Sequence, residues 1–101
     1  MADVYQELKT HFSSVDDVTV LSGSGAQGIK RDGKLFVMFM KGNILVKFPQ
    51  KRVTEIITSG DGLAYDPGTG KPMKNWVLIQ QAKKDLWIKY SVEANNILKN
   101  S

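Results

Sequence analysis

The chain has 101 residues, 42% of them apolar and 24% charged, which is enough for one hydrophobic core and too apolar for a disordered chain. Fourteen lysines and arginines against ten acids leave a formal charge of +4, and the lack of cysteine excludes disulfides, thiol catalysis and thiolate-bound metals. Leu35 to Met40, among the longest apolar runs, is far shorter than the roughly 20 residues of a membrane span, and Met1-Ala2-Asp3 opens no signal peptide, so a single cytoplasmic domain over residues 1–101 is expected.

Val4, Tyr5, Leu8 and Phe12 recur at helical spacing and predict an amphipathic helix over residues 3–13, with Asp3 as its cap and Ser13-Ser14 as its end. Val18 to Leu21 is β-branched or apolar and runs into a glycine cluster, the pattern of a short strand. Lys34 to Met40 and Ile44 to Phe48 are strand-like runs around Lys41-Gly42-Asn43, and they read as a hairpin. Pro49 suits the start of a helix at 50–59, with Val53, Ile56 and Ile57 on its buried face and Gly60 as its stop.

Leu63-Ala64-Tyr65 lies between two turn sequences, Asp61-Gly62 and Asp66-Pro67-Gly68-Thr69-Gly70, and has room only for a short strand. Met73 to Ile79 reads as a longer one. Asp85 is placed to cap a last helix whose Leu86, Tyr90, Ala94 and Leu98 sit four apart, with Trp87 and Ile97 on its flank. The expected class is α+β: helix, three strands, helix, two strands, helix. One five-stranded, largely antiparallel sheet with the helices packed on one face would bury these apolar stripes.

Charge is uneven along the chain. Residues 1–29 carry a net −3, residues 30–52 a net +6 and residues 53–101 a net +1. Lys30, Arg31, Lys34, Lys41, Lys51 and Arg52 are therefore the candidate contacts for nucleic acid or another acidic partner, since each cation that neutralises a phosphate releases a counterion. The plainer reading is a solvated surface, because lysines that alternate with apolar residues, as in Val46-Lys47-Phe48, are what a half-exposed sheet needs.

Other motifs point to no chemistry. Gly23-Ser24-Gly25-Ala26-Gln27-Gly28 matches G-x-G-x-x-G, but that fingerprint works only where its last glycine opens a helix in a parallel βαβ unit, and here a turn and a strand follow. Asp61 to Asp66 lacks the oxygen donors of a calcium loop, because Leu63 and Tyr65 hold two of the ligand positions. His11 is the only histidine and is placed near the end of the first helix, and Ser13, Ser14 and Asp16 beside it lack the setting of a triad. Trp76, Trp87, Tyr65 and Tyr90 could stack on bases, but apolar neighbours assign them to packing. No catalytic, cofactor or metal residue is marked out.

One family pattern spans roughly residues 4–98. Gly33-Lys34-Leu35-Phe36-Val37-Met38, then Leu45-Val46-Lys47-Phe48-Pro49 with Arg52-Val53, Gly60, Tyr65-Asp66-Pro67 and Gly70-Lys71-Pro72-Met73-Lys74-Asn75-Trp76-Val77 resemble the TfoX N-terminal-domain-like family. The resemblance implies a fold close to type III secretion chaperones and marks Lys47, Pro49, Gly60, Pro72, Met73, Lys74 and Trp76 as motif residues with a structural role. It also implies a stand-alone N-terminal-type module, without the second domain of full-length competence regulators, and associates the chain with transcription regulation. The expected function is a non-enzymatic protein-interaction module with no cofactor, a homodimer being one version; the alternative is a nucleic-acid binder using residues 30–52.

Overall fold

The computed structural model describes residues 4–21, 27–40, 42–66, 68, 70 and 73–100. In chain order these form α1 (Val4–Ser13), β1 (Val18–Leu21), β2 (Gln27–Arg31), β3 (Lys34–Met40), β4 (Asn43–Lys47), α2 (Gln50–Ser59), β5 (Leu63–Ala64), β6 (Trp76–Ile79), a 3₁₀ helix (Gln81–Leu86) and α3 (Trp87–Lys99). The class is α+β, as expected, but the single antiparallel sheet has six strands, in the order β1-β2-β3-β4-β6-β5.

The strand that sequence reasoning missed is β2. Its Gly28, Lys30 and Arg31 show no apolar alternation, and pairing with β1 and β3 on both sides overrides that weak local preference. A signal for it was present. Asp32 and Gly33 take φ of +50° and +79°, a two-residue turn of the kind that Asp-Gly favours, and this turn joins β2 directly to β3.

Three further boundaries differ from expectation. β6 begins at Trp76 rather than Met73, because residues 74 and 75 form a turn closed by Trp76 N–H donating to Met73 O, while Met73 N–H donates to Tyr65 O beyond the end of β5. β5 stops at Ala64, so Tyr65 is outside the ladder. Asp85 caps nothing. It lies inside the 3₁₀ helix, whose first residue Gln81 donates its N–H to the side chain of Asn43, and α3 starts two residues after Asp85. Asp3, the expected cap of α1, is outside the described residues.

The register sorts every strand into two faces. Val20, Ile29, Val37, Val46 and Val77 form one row across the sheet, and Phe39, Ile44 and Ile79 lie beside it. These residues meet Leu8 and Phe12 of α1, Val53 and Ile56 of α2, and Trp87, Tyr90 and Ala94 of α3 in one core. All three helices therefore cover the same face. A bulge improves the fit: Ile29 pairs with Val37 and Lys30 with Leu35, so Phe36 is the extra residue. Phe36 and Val37 are both fully buried in that core, and Phe36 meets Phe12 edge-on at 5.5 Å.

Candidate functional site

Two of the five described candidate cations, Arg31 and Arg52, are committed to α3. Arg31 is only 8% exposed, and its guanidinium donates to the side-chain oxygen of Asn95 on α3 at 3.1 Å and to the carbonyl of Asp16 at 3.4 Å. It fastens the β2 end to α3. Arg52 on α2 donates twice to the Glu93 carboxylate on α3, one contact at 2.8 Å, and also faces Glu55. That pairing with Glu93 holds the guanidinium charged beyond its ordinary range. Lys30 is outward on β2, Lys34 is exposed after the Asp32-Gly33 turn, and Lys51 is exposed on the first turn of α2. Lys41 lies outside the described residues.

The motif residues have local structural places. Pro49 is the N-cap of α2 and Gly60 its C-cap, with Gly60 N–H donating to Ile57 O. Lys74 is exposed in the turn before β6, Met73 is 36% exposed, and Pro72 lies outside the described residues. Gly28, last of the G-x-G-x-x-G run, sits in the middle of the sheet and opens no helix. A Cβ there would come within 2.5 Å of the Val37 carbonyl, so close strand packing at the bulge is what requires glycine. Residues 23–26 are outside the described residues.

A second polar cluster ties the helix side together. Tyr90 on α3 is 3% exposed; its hydroxyl donates to Asp61, just beyond α2, and Asp61 also faces Lys83 at 4.0 Å. Burial, and then the bond to Asp61, push the Tyr90 hydroxyl up to about 12. Arg52 and Lys89 lie 5.8 and 5.2 Å from its ring centre. The cluster spans the α2–β5 connection and α3 as a clamp. Among the described residues there is no group of three metal-ligating side chains, and no helix is long and apolar enough to cross a membrane.

The outward face of the sheet is the feature that stands unexplained by folding. Gly28, Met38, Leu45 and Leu78 pair in succession across β2, β3, β4 and β6, and Leu63 of β5 pairs with Leu78. Leu35 and Trp76 lie alongside. None of these side chains belongs to the helix-side core. Leu45 is fully buried between its neighbours, Leu35, Met38, Trp76 and Leu78 are half-buried, and Leu63 is 45% exposed. Trp76, expected in the core, is outward because Val77 and Ile79 take the inward positions. Trp87 and Tyr90 do lie in the core.

Among the described residues charge on this face has one sign: Lys30 and Lys47 occupy outward positions, and no acid does. Sequence reasoning named Lys30 here but passed over the apolar row. Its signal was available, because Ile44-Leu45-Val46 and Val77-Leu78-Ile79 are continuous apolar runs, whereas a sheet covered on one side alone reads as strict alternation. No family model, curated protein or solved structure matches the chain.

Proposed function

We propose that this chain is a non-enzymatic protein-interaction domain whose binding surface is the outward face of its sheet. One observation carries the reading: the central strands are apolar on both faces, while the helices cover only one. Lys30 and Lys47 beside the apolar row, with no outward acid among the described residues, select a partner segment that is apolar and acidic. The resemblance to TfoX N-terminal-type modules supports the same reading. It adds a kinship of fold with type III secretion chaperones, a cytoplasmic location and a setting in transcription regulation.

The nucleic-acid alternative draws on the same basic segment, but Arg52 is ion-paired with Glu93 and Arg31 is buried against α3. A single comparison separates the readings. The wild-type chain and a Leu63→Lys variant are first matched for fold by circular dichroism. They are then used to capture a partner from host lysate, and the purified partner is titrated against both. A one-to-one complex that weakens with salt and is lost in Leu63→Lys is the expected result. Capture unaffected by Leu63→Lys, or dimerisation of the chain alone in sedimentation, overturns the surface or the partner class. Labelled DNA that binds both proteins equally, and falls away steeply between roughly 50 and 200 mM salt, replaces the reading with the nucleic-acid one.

A further inference from the structure

The outward apolar row runs across the strands rather than along them. Gly28, Met38, Leu45, Leu78 and Leu63 pair in succession on β2, β3, β4, β6 and β5, so the row is four strand spacings long, roughly 19 Å at about 4.8 Å each. Its two flanks differ. β2 and β4 are both antiparallel to β3 and so run the same way, which puts Lys30, two residues past Gly28, and Lys47, two past Leu45, on one flank. With β3 between them, their backbones stand two strand spacings apart, roughly 10 Å. Lys47 is exposed and Lys30 half-buried. On the other flank β4 begins at Asn43, whose neutral side chain accepts the N–H of Gln81.

This geometry restricts what can cover the face. A sheet face offers side chains and no free backbone groups, so a segment laid on it must satisfy its own N–H and C=O groups, as a helix does and a lone strand does not. Spacing points the same way. Helical residues seven apart lie about 10.5 Å apart on one side of the helix, which matches the two lysines; same-side residues of an extended chain fall about 6.6 or 13 Å apart. A second copy presenting this same face would bring lysines to lysines, with no acid among the described residues to pair them. We propose that the partner is an amphipathic helix of about 13 residues lying across the strands, its apolar stripe on the row and two acids seven residues apart beside Lys30 and Lys47. The proposal rests on the outward face being the binding surface, and it names the form and charge pattern of what binds there.

The test uses an end-blocked synthetic peptide of about 14 residues, alanine and glutamine in background, with leucines at helical spacing and two glutamates seven apart on one flank of that stripe. Anisotropy titration followed by circular dichroism should show one peptide bound per chain and a gain of helix, since a peptide this short is only partly helical in water. Moving both glutamates to the side opposite the leucines should weaken binding about 25-fold, about fivefold for each ion pair. Lys30→Glu and Lys47→Glu should each weaken the first peptide about fivefold with no change in Tm. Each should be rescued by a different one of the two peptides in which a single glutamate is replaced by lysine. Leu63→Lys, at the end of the row, should weaken it about tenfold, and a peptide with two central prolines should not bind. Equal affinity for the proline peptide, or for the peptide with displaced glutamates, overturns the helix or its charge pattern. No binding of any peptide by a chain whose purified partner is still lost in Leu63→Lys overturns the helix and leaves the binding face standing. A peptide and a partner both indifferent to Leu63→Lys overturn the face itself.

Discussion

The two faces of the sheet are built from the same strands, and adjacent residues meet different fates on them. Val46 faces the helix side and belongs to the continuous core, while its neighbour Leu45, also fully buried, lies in the outward row between Met38 and Leu78. Inward positions run to Val, Ile and Phe under a helical cover. Outward positions mix Leu, Met, Gly and Trp with two lysines. The difference teaches that stability and recognition are assigned here by strand parity, so a one-residue change of position moves a substitution from one property to the other.

The largest effect should come from the covered face. Phe36→Ala empties a fully buried site against Phe12 and should cost about 3–5 kcal/mol, read as a lower denaturant midpoint. Next comes the helix-side clamp. Tyr90 holds its proton up to about 12 in the folded state, against an ordinary value of 10.0. A proton held more tightly by the native state stabilises it below pH 10, and that stability is lost as pH rises through about 12. Wild type should thus lose about 2–3 kcal/mol over that window relative to Tyr90→Phe, and parallel stability curves for the two proteins would remove the clamp.

Gly28→Ala tests whether the outward row is as closely packed as its backbone implies. The added methyl meets the Val37 carbonyl, and a loss of about 1–3 kcal/mol is expected in the same denaturation assay. Ser91 probes a defect in the covered face, since its hydroxyl is buried in α3 without a hydrogen-bond partner among the described residues. Ser91→Ala should therefore raise stability, by about 1 kcal/mol, and a lower Tm would reveal a partner for that hydroxyl. The smallest effect belongs to Leu63→Lys on the exposed edge. It should change stability by less than about 0.5 kcal/mol while removing partner binding, a split that sharpens the division between the faces.

Much of this architecture was legible in residue spacing. Leu8 and Phe12 four apart marked α1, and Pro49 and Gly60 bracketed α2 at its observed ends. Lys34–Met40 and Asn43–Lys47 formed the expected hairpin. β2 lacks periodicity, and Asp85 has the chemistry of a cap but lies inside a 3₁₀ helix that begins four residues earlier, where Gln81 N–H donates to Asn43. The basic segment was visible as a count of charges. A count cannot say that Arg31 turns inward to Asn95 while Lys30 turns outward, because that depends on which partner strands set the register.

Composition and patterning alone therefore determined a cysteine-free α+β domain, the positions of its helices and the runs that become its central strands. Those signals are local, set by capping chemistry and by the periods of helix and strand. The tertiary structure alone decided that a sixth strand joins the sheet, and that an outward apolar row and two arginine contacts to α3 result. Each of these depends on contacts between residues far apart in the chain, where pairing and burial outweigh local preference.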